Sequence, residues 1–145
     1  MLALKFKKET PKKKTIFIVE DNEMYSKSLK EYLLTRFLNT LKIKTFYLGE
    51  MCLMELHRNP IIVVMDYILN SKYNEANNGL EIIKRIKILK PETNIIILSV
   101  QKRLEINLEA IKDFNCIYVQ KNQKSFMKVE QSIKEIFNRN QPPAF

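Results

Sequence analysis

The sequence predicts a doubly wound α/β domain: a five-stranded parallel sheet covered on both faces by five helices. Three observations carry the prediction. Short, unbroken apolar runs, such as IIVVM at 61–65, read as strands buried on both faces, as in the middle of a parallel sheet. Between these runs lie stretches whose apolar residues recur at helical spacing. Turn and stop signals (Gly49, Asn59-Pro60, Pro91) separate the two kinds of segment. A chain of 145 residues suits one domain, able to bury roughly 70% of its unfolded surface.

The first strand is expected over Thr15–Val19, ending in Glu20 and Asp21. Asp21 or Asn22 can cap a helix from about Met24 to Asn39, whose buried stripe is Tyr25, Leu29, Leu33 and Phe37, with Tyr32 alongside. Ile43–Tyr47 is the second strand, and Gly49 opens a short helix through Arg58. The third strand runs into Asp66. A polar loop over 68–78 leads to a helix from Gly79 to Lys90, with Leu80, Ile83, Ile86 and Leu89 on one face, stopped by Pro91. Asn94–Leu98 is the fourth strand, ending at Ser99. A weaker amphipathic helix spans about 103–114 through Leu104, Leu108 and Ile111. Ile117–Val119 is the fifth strand, ending near Lys121. A last helix, about Gln123–Asn138, buries Phe126, Val129, Ile133, Ile136 and Phe137. The expected organisation is a basic tail (1–13), one folded domain (14–138) and a short tail (139–145).

Composition removes several classes of function. With two glycines, Gly49 and Gly79, the chain has no glycine cluster to cradle a nucleotide phosphate, and acidic residues follow the first strand instead. Cys52 and Cys116 sit in apolar surroundings and match neither a disulfide framework nor a zinc pattern, which suits a reducing cytoplasm. No apolar run is long enough to span a membrane, and no signal-peptide core follows Met1. The formal charge is +9, of which the side chains of residues 1–14 supply +5, six lysines against Glu9. Such a tail adds non-specific attraction to polyanions, but no aromatic interleaving or helix-turn-helix accompanies it, so direct nucleic-acid binding is not expected. His57 is given no role.

The polar strand ends are the informative feature. Ligands of open parallel sheets gather beyond the carboxyl ends of the strands. In the sheet order 2-1-3-4-5, the first and third strands are neighbours, which brings Glu20, Asp21 and Asp66 together. Three carboxylates in one pocket need a proton or a cation, and a few hard oxygen ligands suit Mg²⁺. Ser99 and Lys121 then lie across from Asp66, a hydroxyl and an ammonium suited to a phosphoryl group. Taken singly, each residue has a plainer reading. Glu20 and Asp21 suit a helix N-terminus, Asp66 a turn cap, Ser99 a strand end, Lys121 the solvent and Tyr118 the core.

Taken together, VEDN at 19–22, VVMD at 63–66, Gly79-Leu80-Glu81, ILSV at 97–100 and YVQK at 118–121 resemble the receiver domain of two-component response regulators, a flavodoxin-like fold. The resemblance covers about residues 14–138. It implies that Asp66 accepts a phosphoryl group from a phosphohistidine on a sensor histidine kinase or phosphotransfer protein. It implies Mg²⁺ held by Asp21, Asp66 and the main-chain carbonyl of Ile68, with Glu20 acting through a bound water. Lys121 and Ser99 would bind phosphoryl oxygens, and Tyr118 would turn inward as Ser99 moves. That change would alter the face made by the fourth helix, fifth strand and fifth helix, where a downstream partner or a second copy docks. No external substrate is implied: the domain would catalyse only its own phosphorylation and dephosphorylation. Two alternatives compete, a Mg²⁺-dependent aspartyl-phosphate phosphohydrolase and an unphosphorylated scaffold. The first usually wants an acid–base carboxylate where this chain has Ile68; the second is disfavoured because every charged site position is filled.

The chain also departs from the family pattern. Asp66 and Gly79 are thirteen residues apart, about five more than the resemblance implies, which places SKYNEANN beside the metal site. The customary prolines are replaced by Asn70 and Asn122. Val100 follows Ser99 where a small residue is common, and its bulk is expected to narrow access to Asp66.

Overall fold

The computed structural model describes residues 12–67, 79–100 and 114–139. Five strands form one sheet: β1 (Lys14–Val19), β2 (Leu41–Phe46), β3 (Ile62–Asp66), β4 (Asn94–Ser99) and β5 (Ile117–Gln120). All pairings are parallel and the order is β2-β1-β3-β4-β5. Four α-helices are present among the described residues: α1 (Glu23–Arg36), α2 (Gly49–Met54), α3 (Gly79–Leu89) and α4 (Ser125–Arg139). The helix expected over 103–114 falls almost wholly outside the described residues.

Alternation along the strands divides the core into two layers. Phe17, Val19, Val63, Met65, Ile95 and Ile97 face one side, where they meet Cys52 of α2 and Ile82, Ile83 and Ile86 of α3. Ile16, Ile18, Ile62, Val64, Ile96 and Leu98 face the other, against Leu29 and Leu33 of α1 and Val129, Ile133 and Ile136 of α4. Truncating one of these central isoleucines to alanine costs about 2–5 kcal/mol, because the neighbours are fixed on both sides. Helices on both faces follow from right-handed crossovers between parallel strands.

Helix boundaries differ from the expectation in physically explicable ways. Asn22 caps α1 through its side chain, which accepts from the Tyr25 N–H at 3.0 Å. The helix stops at Arg36, not Asn39, because Leu38 and Asn39 turn left-handed (φ 51° and 58°) and the Asn39 N–H returns to the Leu34 carbonyl. The segment after Gly49 is a short α-helix followed by a 3₁₀ turn over Leu56–Arg58, closed by left-handed Asn59. Strand β2 begins two residues early, at Leu41, which pairs with Lys14. In α3 the buried stripe is rotated: Ile82, Ile83 and Ile86 are core, while Leu89 is exposed and Leu80 is half-buried. A Cβ at Gly49 would lie 2.5 Å from the Ile82 side chain, so glycine lets α2 and α3 meet at that isoleucine. Phe126 and Phe137 of α4 are half-buried, not core, and Glu130 on the same helix is buried. Both cysteines are free and buried, and burial pushes their thiols up to about 12 (Cys52) and about 11 (Cys116), so neither is poised to react. No helix among the described residues is long and apolar enough to cross a membrane.

Candidate phosphoacceptor and metal site

The carboxyl edge of the sheet gathers the acidic residues. The Glu20 N–H donates to the Phe46 carbonyl at 2.9 Å, continuing the β1–β2 ladder one residue past the strand, so the carboxylate leaves from a rigid backbone. Asp66 is the last residue of β3, opposite Leu98, and the Tyr67 N–H donates to the Leu98 carbonyl at 2.8 Å. Oxygens of Glu20, Asp21 and Asp66 lie within 4.8 Å of one another. Glu20 is 2% exposed, Asp66 is buried, and Asp21 is half-buried. Three hard oxygen donors, with Asp21 the least buried of them, are the donor set expected of a partly hydrated Mg²⁺ ion, and the residues present fit that ion.

Lys121 reaches this cluster from the far side. Its backbone N–H donates to the Ser99 carbonyl at 2.8 Å, which ties the end of β5 to the end of β4. Its ammonium donates to both oxygens of Glu20 (3.0 and 2.9 Å) and to Asp66 Oδ2 (3.2 Å). The Tyr25 ring lies beside it, centroid 4.5 Å from Nζ. Burial, then the charge of Asp66, pushes Glu20 up to about 7 even though Lys121 pulls the other way. Lys121 is disfavoured as a cation by its burial, but Glu20 and Asp66 together hold it above its ordinary value. Among the described residues, one ammonium thus pairs with both Glu20 and Asp66.

The remaining expected residues are nearby in the sheet. Ser99 ends β4 fully buried, one residue past the partner of Asp66. Tyr118 on β5 is half-buried against the core layer that holds Ile97. Val100 stands at the rim, 65% exposed. Ile68 and the segment SKYNEANN lie outside the described residues.

The family model for the response regulator receiver domain matches residues 16–131. The chain belongs to that family. Receiver domains are the phosphorylatable signalling modules of two-component systems; they bind Mg²⁺ at an acidic pocket and interact with histidine kinases and downstream effectors. Solved receivers share the fold. The BeF₃-activated receiver domain of DrrB aligns with a TM-score of 0.71 at 26% identity, over 88% of this chain and 99% of that one. The response regulator DrrB of Thermotoga maritima, an OmpR/PhoB homologue, gives 0.72 at 24% identity over 92% of this chain and 56% of that one, so this receiver spans little more than half of that regulator. The phosphorylated cyanobacterial phytochrome response regulator RcpA gives 0.69 at 20% identity, over 91% and 99% of the two chains. No curated protein sequence matches the chain.

Two features of the receiver's site go beyond the reading of its strand ends. Gly79 begins α3 against the backbone that follows Asp66: its N–H donates to the Tyr67 carbonyl at 2.8 Å, and a Cβ would lie 2.8 Å from that oxygen and 2.9 Å from Tyr67 Cα. The signal was available, since Gly79 is one of two glycines in the chain. The second is Tyr25, whose place in the α1 stripe suggested only core packing.

Proposed function

We propose that this receiver accepts a phosphoryl group on Asp66 from a phosphohistidine of a sensor histidine kinase or phosphotransfer protein, and relays the event by a change of surface. The observation that carries the reading is the meeting of Glu20, Asp21, Asp66 and Lys121 at one edge of the sheet. A carboxylate oxygen of Asp66 attacks phosphorus in line while the bond to the donor nitrogen breaks, giving an acyl phosphate. Lys121, 3.2 Å from Asp66, turns its ammonium to a phosphoryl oxygen, and the Ser99 hydroxyl binds another. Glu20 (through a water), Asp21, Asp66 and the Ile68 carbonyl are the oxygen donors for Mg²⁺. When bound, that ion offsets the negative charge that gathers as a phosphoryl group approaches the carboxylates. Tyr118 turns inward as Ser99 moves, reshaping the face of the 103–114 segment, β5 and α4, where a downstream protein or a second copy docks. That similar structures include a BeF₃-activated and a phosphorylated receiver supports this cycle.

In this reading residues 14–138 are the working unit, flanked by tails at 1–13 and 139–145, in the cytoplasm. Its covalent chemistry is confined to its own phosphorylation and dephosphorylation. Incubation with Mg²⁺ and acetyl phosphate, read by intact mass, tests it. Wild type should gain one phosphoryl group and Asp66→Asn none; equal gain by both, or none by wild type, overturns the reading.

A further inference from the structure

We propose that Tyr25 is a positioning residue for Lys121, its ring forming the wall that keeps the ammonium over Asp66. This rests on the reading that Lys121 serves phosphoryl transfer to Asp66. Tyr25 occupies the first turn of α1 and is fixed along its whole length. Its N–H is held by the Asn22 cap at 3.0 Å, and its ring meets Phe126 edge-to-face, with centroids 5.3 Å apart and planes at 74°. Its hydroxyl lies 3.1 Å from Ser125 Oγ. Ser125 already gives its single hydroxyl proton to the Asn122 carbonyl at 2.8 Å, so the Tyr25 O–H is the donor of that pair. The tyrosine is therefore pinned to the turn that immediately follows Lys121.

That fixity matters because lysine is the opposite kind of side chain. Four rotatable bonds and a strongly hydrated ammonium leave it free to swing toward water. Among the described residues, Glu20 and Asp66 accept its hydrogen bonds. The Tyr25 ring, 4.5 Å from Nζ, closes another side with a π face that attracts the cation and excludes competing water. Lys121 is thereby held where a phosphoryl group on Asp66 would meet it. Without the ring, the ammonium can lean away from Asp66 or settle wholly on Glu20, and each transfer must first recover the working geometry.

Y25F keeps the ring and removes the hydroxyl, whereas Y25L removes the ring. In wild type and Y25F the ε-methylene protons of Lys121 should resonate upfield of the other lysines through the ring current, and in Y25L they should not. With Mg²⁺ and acetyl phosphate, Y25L should be phosphorylated about tenfold more slowly than wild type, and Y25F within about twofold of it. A wild-type rate in Y25L, or a Lys121 signal with no ring-current shift in wild type, overturns the proposal. Should Y25L not fold, the signal in wild type and Y25F decides alone. A wild type that takes up no phosphoryl group sinks the Asp66 reading and this inference with it; a phosphorylated wild type with an indifferent Y25L sinks the inference alone.

Discussion

Glu20, just past β1, and Glu130, in the middle of α4, are both nearly sealed from solvent, at 2% and 3% exposure. Their surroundings differ in one respect. Glu130 is met only by donors: the Tyr32 hydroxyl at 2.6 Å, Arg36 Nε at 3.1 Å and Lys134 Nζ at 2.9 Å. Those bonds, Tyr32's first and then those of Lys134 and Arg36, hold its carboxyl down at about 2. Among the described residues, the side chain that donates to Glu20 is Lys121, which Glu20 shares with a second acid. Burial and that neighbour push it up to about 7. The acid with several donors clamps two helices together, whereas the acid that shares its donor belongs to a cluster that could hold a cation.

One pair of substitutions separates the two directly. Glu130→Gln leaves Arg36, Lys134 and Tyr32 without their anion and should cost about 1–2 kcal/mol, seen as a lower urea midpoint with phosphorylation unchanged. Glu20→Gln relieves repulsion as it loses the Lys121 pair, so its stability should stay within about 1 kcal/mol of wild type, while Mg²⁺ affinity falls. Equal destabilisation by the two changes would erase the distinction.

Substitution at the opening of α3 probes how rigidly the acidic edge is held. Gly79→Ala forces a Cβ against Tyr67 backbone that a side-chain shift cannot relieve, and should cost about 1–3 kcal/mol. Because Tyr67 follows Asp66, the same variant should bind Mg²⁺ more weakly by titration; unchanged affinity would show that the strand end absorbs the push.

The pH dependence has opposite signs at the two glutamates. Glu20 rises from an ordinary 4.5 to about 7 on folding, so the native state holds the extra proton between those values. Its contribution is complete below 4.5 and is lost as pH rises through 7. Glu130 falls to about 2, so its contribution stands above 4.5 and is lost as pH drops toward 2. Denaturant melts across both windows should show a decline from 4.5 to 7 that Glu20→Gln removes, and that Mg²⁺ offsets by binding the native state. A decline that survives in Glu20→Gln belongs to another group. The smallest effect is expected at the exposed rim, where Val100→Ala should speed dephosphorylation modestly by widening access to Asp66; an unchanged rate removes that role for Val100.

Much of this was legible in the residues because parallel strands buried on both faces leave a plain mark, unbroken β-branched runs ending in one polar group. What stayed hidden depended only in part on contacts between distant segments. In α3 the buried set, Gly79, Ile82, Ile83 and Ile86, is itself spaced i, i+3, i+4, i+7; a glycine in that set adds no apolar side chain to the pattern, and Leu80 and Leu89 point to the neighbouring face. The two hydrogen bonds from Lys121 to Glu20 leave no such mark, because the residues are 101 positions apart. Glu130 did leave a signal. It sits beside Val129 and three residues before Ile133, inside the apolar stripe, where an acid must find donors.

The separation between Glu20 and Lys121 also sets when the receiver becomes competent. All three acids are in the chain by residue 66, whereas Lys121, the ammonium that pairs with Glu20 and Asp66, follows β5, the last strand and an edge of the sheet. A nascent or proteolysed chain that stops short of residue 121 would carry Asp66 without the Lys121 ammonium that bonds it in the folded domain.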